Sequence, residues 1–194
     1  MYLPSIGNNV PRRGGRISSR TARFLLSTAG WSFEGEVPNL AKFVVTAAPH
    51  TSNWDFVLTM LTLFSLQVDF RWIGKHTLFR RPFGPLMRWL GGTPIDRAKP
   101  GGIVGQVVRR FQESERFVLA ISPEGTRSKV KKWKAGFHRI ARDANVPIVP
   151  AYMDFGRKII GFGSPFLPGP DADADIERLT RYYRRFSGKR PDRF

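Results

Sequence analysis

The chain has 194 residues, of which 41% are hydrophobic and 13% aromatic, and it contains no cysteine. This length and apolar content suit one domain with a sizeable core and exclude a disordered chain, and the missing cysteines exclude disulfides, a thiol nucleophile and thiolate zinc sites. A formal charge of +17 calls for an anionic partner: nucleic acid, a lipid surface or a phosphorylated substrate.

Residues 1–16, rich in Gly, Pro, Asn and Arg, read as a flexible basic arm without the apolar core of a signal peptide. Ile17–Ala29 has helical spacing, with Ile17, Thr21, Phe24, Leu25 and Thr28 on one side. Trp31–Val37 alternates like a short strand. Phe43–Ala48 is an apolar run of strand length, and Phe56–Val68, apolar and uncharged, reads as a core helix. That helix is too short to cross a bilayer, which needs about 20 residues. Asp69–Gly74 is a further strand-like run. Residues 78–90 mix Phe, Met, Trp and Leu with Arg80, Arg81 and Arg88. This stretch fits either a core helix with solvated charges or an interfacial patch with its apolar side in anionic lipid. Thr93–Arg97 is extended, Val104–Phe111 helical, and Arg116–Ile121 a clear strand. Ala135–Ala144 is an amphipathic helix. Val146–Tyr152 is a strand, for which Pro147 and Pro150 have a plain reading as the bounds of an edge strand. Lys158–Phe162 is the last strand, and Asp173–Phe186 is a basic amphipathic helix. No linker divides residues 17–194, which read as a single domain. Alternating strands and helices argue an α/β fold, one sheet flanked by helices.

The informative stretch is Pro49-His50-Thr51-Ser52-Asn53-Trp54-Asp55. His50 sits on the turn between a buried strand and a helix that Thr51, Ser52 or Asn53 can cap. Asp55, in the first turn, can fold back onto one ring nitrogen and leave the other free. That is the wiring of a general base. Lys75, Arg97 and Glu124–Arg127 also follow strand ends, where ligands gather in α/β sheets, so all four stretches are expected to share one cleft. Each has a plainer reading. His50 alone suits a structural histidine, Lys75 a surface lysine, Arg97 a partner for Asp96, and Glu124–Arg127 a capped turn. In its functional reading Gly125 admits close backbone approach and Arg127 grips a phosphate. There is no G-x-S-x-G, P-loop, G-x-G-x-x-G or H-E-x-x-H.

Taken together, residues 49–55, 92–97, 121–128 and 146–150 match in order the four sequence blocks of the glycerolipid acyltransferase family, which includes the bacterial 1-acylglycerol-3-phosphate acyltransferases. Pro123-Glu124-Gly125-Thr126-Arg127-Ser128 matches its block without a gap. The resemblance covers roughly residues 31–155. Pro49 replaces the usual Asn before the histidine, and Ser122 replaces an aromatic residue before Pro123.

The resemblance implies an α/β acyltransferase domain like that of glycerol-3-phosphate acyltransferase. His50 would be the base, oriented by Asp55. Arg97, Glu124, Gly125, Thr126 and Arg127 would bind the substrate, and Lys75 would face the developing oxyanion. It implies no metal, no cofactor and no acyl-enzyme. The donor would be an acyl-CoA or an acyl carrier protein. The acceptor would be a lysophospholipid, or otherwise glycerol 3-phosphate, a lyso-aminolipid or a glycolipid. The expected location is cytoplasmic, on the inner face of the membrane and held by anionic lipid. A nucleic-acid-binding module is the competing reading of the charge. It lacks any recognisable nucleic-acid motif and leaves the His50 and Glu124 stretches unexplained.

Overall fold

The fold is that of a computed structural model, which describes residues 2–74, 76–94 and 102–194. Its elements in chain order are α1 (Arg16–Thr28), β1 (Ser32–Glu34), β2 (Lys42–Ala47), α2 (Trp54–Leu66), β3 (Phe70–Gly74), α3 (Gly84–Trp89), β4 (Gly92–Pro94), α4 (Gly102–Glu113), β5 (Phe117–Ile121), α5 (Gly136–Asp143), β6 (Ile148–Asp154), β7 (Ile159–Phe162) and α6 (Ala172–Tyr183). The seven strands form one sheet in the order β1-β7-β6-β2-β5-β3-β4. From β6 through β4 all neighbours are parallel, whereas β7 runs antiparallel to β6 and carries β1 beside it. The mixed α/β sheet flanked by helices is the architecture expected from the sequence.

Parallel strands buried on both faces need apolar residues at consecutive positions. The central strands show this. Val44, Leu119 and Ile148 pack with α4, α5 and α6 on one face. Phe43, Val45, Val118 and Val149 pack with α1 and α2 on the other. The sheet therefore has two cores, one on each side.

Three expectations need correction. The segment before α1 is not loose: Val10 is fully buried, and Arg13 N–H donates to Gln67 O at 3.0 Å. The apolar side of α1 does not face the core. Ser19, Ala22 and Leu26 point inward, while Ile17 is 83% and Phe24 66% exposed. Small residues let α1 lie close against α2, and that close approach turns the larger apolar side chains outward. Finally, the plain reading of Pro147 and Pro150 as bounds of an edge strand fails, because β6 is interior, between β7 and β2. Pro150, which lacks a donor, is accommodated because its N faces residues 163–166, past the end of β7. There Gly163 N–H donates to Pro150 O at 2.7 Å.

Residues 78–90 fold as a short 3-10 turn (His76–Phe79) followed by α3. Phe79 is buried, but Leu78, Phe83, Leu86 and Trp89 are exposed. The stretch is thus mostly surface, with Trp89 leaning on Phe64 of α2 at 5.7 Å between ring centroids.

Candidate active site

Strand β2 delivers the chain to His50 at the carboxyl edge of the sheet, and α2 starts four residues later. Asp55 lies in the first turn of α2 and is only 4% exposed. Its Oδ2 accepts the N–H groups of Thr51 at 2.7 Å and Ser52 at 2.8 Å. The same oxygen lies 3.1 Å from His50 Nδ1. A buried carboxylate held by two backbone donors has a fixed direction, so the imidazole it contacts is fixed too. With Nδ1–H donating to Asp55, Nε2 is the basic nitrogen. Nε2 makes no hydrogen bond among the described residues, and the His50 side chain is 25% exposed.

Glu124 reaches the same turn from β5. One carboxylate oxygen accepts the backbone N–H of His50 at 2.9 Å, and the other accepts the Ser122 hydroxyl at 2.7 Å. Burial pushes the Glu124 carboxyl above the ordinary carboxylate range, against the opposing pull of those two hydrogen bonds. Glu124 thus positions the His50 turn by gripping its backbone. Gly125 follows in the left-handed region at φ +66, where a side chain would be strained. This turn carries Thr126 and Arg127 out to the surface, both exposed. Thr126 Oγ1 accepts Ser128 N–H at 3.3 Å.

The structure therefore brings His50, Asp55 and Glu124 together, with Gly125, Thr126 and Arg127 on the adjoining turn. Lys75 and Arg97 lie outside the described residues. The strands before them, β3 and β4, run parallel to β5 and so end at the same edge of the sheet. No group of three His, Asp or Glu side chains suited to a metal ion occurs among the described residues.

An apolar cavity that the sequence does not announce begins at His50 and Asp55. It has a volume of about 180 Å³ and runs between α2 and the sheet. Thr59 and Leu63 line it from α2, Ala120 and Ala151 from the sheet, and Ile160 and Phe162 at the β7 end. Small residues on the strands leave the space. Ala47, Ala120 and Ala151 come from three separate strands, so no local sequence pattern reveals it.

Known proteins resemble the chain in sequence and in fold. The chloroplastic 1-acyl-sn-glycerol-3-phosphate acyltransferase LPAT1 of Arabidopsis thaliana is 32% identical over 124 residues, covering 61% of this chain and 35% of that protein. The chain thus matches about a third of that relative's length. The crystal structure of the 1-acyl-sn-glycerophosphate (LPA) acyltransferase PlsC from Thermotoga maritima shares the fold, with a TM-score of 0.60 at 18% identity, over 88% of this chain and 76% of that one. The Acyltransferase family model matches residues 32–154, a span holding the His50 turn, the Glu124 turn and all of β6. With the match extending over more than half of its length, the chain belongs to the Acyltransferase family.

Proposed function

We propose that the protein moves a fatty acyl group from a thioester to the free hydroxyl of a lysophospholipid, with 1-acylglycerol 3-phosphate as acceptor and phosphatidic acid as product. The observation that carries this reading is the His50–Asp55 pair at the mouth of an apolar cavity. A base beside an apolar space is what O-acylation by a long-chain thioester requires.

In this mechanism His50 Nε2 removes the proton of the acceptor hydroxyl, and Asp55 stabilises the imidazolium that forms. The oxygen attacks the thioester carbonyl carbon, giving a tetrahedral intermediate. Collapse breaks the C–S bond, and the departing thiolate takes the proton back from His50. Base and ester-forming oxygen meet directly, so no acyl-enzyme intervenes. Arg97 and Arg127 hold the acceptor phosphate, Lys75 donates to the developing oxyanion, and the acyl chain occupies the cavity below His50.

The acceptor is a membrane lipid, so the enzyme works on a bilayer surface. No helix among the described residues is long and apolar enough to cross a membrane. Ile17 and Phe24 of α1, Trp54 and Val57 of α2, and Phe83, Leu86 and Trp89 around α3 are exposed, and these apolar side chains are the means by which the enzyme would rest on a bilayer. Nearby arginines attract anionic lipid, in keeping with peripheral attachment to the inner face of the cytoplasmic membrane. The test is thiol release from palmitoyl-CoA by the purified protein with a panel of acceptors. Release with 1-acylglycerol 3-phosphate well above that with glycerol 3-phosphate or lyso-aminolipids supports the acceptor assignment. Release with none of them sinks the reading.

A further inference from the structure

Residues 187–194 follow α6 and return to the edge of the sheet that carries His50. They lie beyond residues 32–154, the span that the family model matches. Two anchors hold them. At the start, Phe186 stacks on Tyr152 of β6 with ring centroids 3.7 Å apart. Beside it Phe155 N–H donates to Ser187 O at 2.8 Å, and Ser187 N–H donates to Asp154 Oδ1 at 3.4 Å. Because β6 runs parallel to β2, this anchor sits at the same edge as His50. At the far end, the ring of Phe194 lies 6.2 Å from that of Trp133, a buried residue of the loop after the Glu124 turn.

Between the anchors the segment crosses the His50 turn. Arg190 N–H donates to Thr51 Oγ1 at 3.1 Å. Gly188 is buried against the same residue. A Cβ there would stand 2.8 Å from Thr51 Oγ1 and Cγ2 and 3.3 Å from Pro49 Cβ, so this close approach leaves room only for glycine. Thr51 is fully buried. Its own N–H donates to Asp55 Oδ2 at 2.7 Å, and that oxygen lies 3.1 Å from His50 Nδ1. An unbroken line of contacts thus runs from Gly188 and Arg190 through Thr51 and Asp55 to the imidazole. Glu124 holds the backbone of His50 from β5, and this segment holds the next residue.

We propose that residues 187–190 are a positioning strap. By fixing Thr51 they fix the direction of the Asp55 carboxylate, and with it the His50 tautomer that leaves Nε2 basic. The inference rests on the proposed role of His50 as the base. A segment that merely covered a buried threonine would serve stability and leave the imidazole unaffected.

The test uses the full chain. Thr51→Val keeps the shape but leaves Arg190 N–H without its acceptor, Thr51→Ser keeps the hydroxyl, and Gly188→Ala presses on Thr51. Thr51→Val and Gly188→Ala should each lower kcat by about tenfold or more, with the KM of both substrates unchanged. Thr51→Ser should turn over like wild type. Adding Gly188→Ala to Thr51→Ala should cost little beyond Thr51→Ala alone, because the atoms it presses on are gone. Should Gly188→Ala fail to fold, the contrast between Thr51→Val and Thr51→Ser decides. The second readout needs no turnover. NMR of isotope-labelled histidine rings in alkaline buffer, assigned with His50→Gln, should show His50 as the Nδ1–H tautomer alone in wild type and Thr51→Ser, and as a mixture in Thr51→Val and Gly188→Ala. Wild-type kcat and a single tautomer in both Thr51→Val and Gly188→Ala overturn the inference. So does a fully additive loss in the double variant, or a change in KM alone, which would make the segment a wall of the substrate site. Mixed tautomers with undiminished kcat would uphold the strap and remove His50 as the base.

Discussion

The Glu124 carboxylate accepts the backbone N–H of His50 at 2.9 Å across 74 positions of sequence. It ties the end of β5 to the turn after β2, so the placement of His50 depends on a residue that does not touch its ring. Glu124→Ala is expected to lower kcat by about tenfold or more and to lower the unfolding midpoint, because a buried N–H loses its acceptor. An unchanged kcat in a folded variant would show that the His50 turn holds its shape unaided.

The same carboxyl sets a pH dependence. Its folded pKa lies above the ordinary value of 4.5, chiefly through burial. The native state therefore binds the proton more tightly than the unfolded chain. The stability this contributes is fully present below pH 4.5 and is lost as pH rises through the raised value. Glu124→Gln should flatten this part of the profile, measured by urea unfolding at a series of pH values. A profile of identical slope in the variant would assign the titration to another group.

Substituting His50, the proposed base, should have the largest effect on turnover. His50→Ala is expected to reduce kcat by about 10² to 10⁴-fold, the usual size of general-base assistance, with folding intact. Asp55→Asn should also reduce it severely, since an amide can stabilise the wrong tautomer. It should destabilise the fold as well, because Oδ2 of Asp55 holds two backbone N–H groups. Circular dichroism with steady-state kinetics separates the two effects. Activity within a few-fold of wild type in either variant would place the base elsewhere.

Arg97→Ala and Arg127→Ala should raise the KM for a phosphorylated acceptor and leave the KM for the thioester unchanged. The opposite pattern would move these arginines to the donor side.

Filling the apolar cavity should alter chain-length preference. Thr59→Phe on α2 projects bulk into a space of about 180 Å³, so the variant should prefer shorter acyl thioesters over palmitoyl donors. An unaltered preference across an acyl-CoA series would mean that the chain lies elsewhere.

Membrane attachment can be tested by vesicle sedimentation. Ile17→Ser with Phe24→Ser should reduce binding to anionic vesicles without changing its salt response. Arg80, Arg81 and Arg88 replaced by Glu should reduce binding chiefly at low salt, because charge attraction is screened over about 10 Å at 0.1 M. Normal binding by both variants would place the docking face elsewhere.

Much of this organisation was legible in the chain. Apolar runs such as Phe43–Ala48 marked the buried strands, and the short arc from His50 to Asp55 marked their contact, because both signals are local. The contact of Glu124 with His50 N–H was not legible, since a pairing between two distant turns leaves no periodic trace. The outward face of α1 was hidden for a different reason. Helical spacing groups Ile17 with Phe24 but does not say whether the core takes that side or the Ser19–Ala22 side, and close packing against α2 selects the smaller residues. The interior place of β6 was masked by Pro150, whose missing donor happens to fall past the end of a neighbouring strand.

Tyr183, at the end of α6, is fully buried with its hydroxyl between two central strands. The hydroxyl donates to Thr46 O at 2.6 Å and accepts Ala151 N–H at 3.1 Å. A side chain thus occupies a rung of the β2–β6 ladder, two residues before the cis Ala48–Pro49 bond that leads to His50. Undocking α6 would expose that rung, so the last helix and the edge of the sheet that carries His50 are expected to open together. Amide hydrogen exchange at Ala151 becomes a gauge of it. Tyr183→Phe should speed exchange there selectively, well before any global loss of structure, while amides of β3 at the far side of the sheet keep their protection.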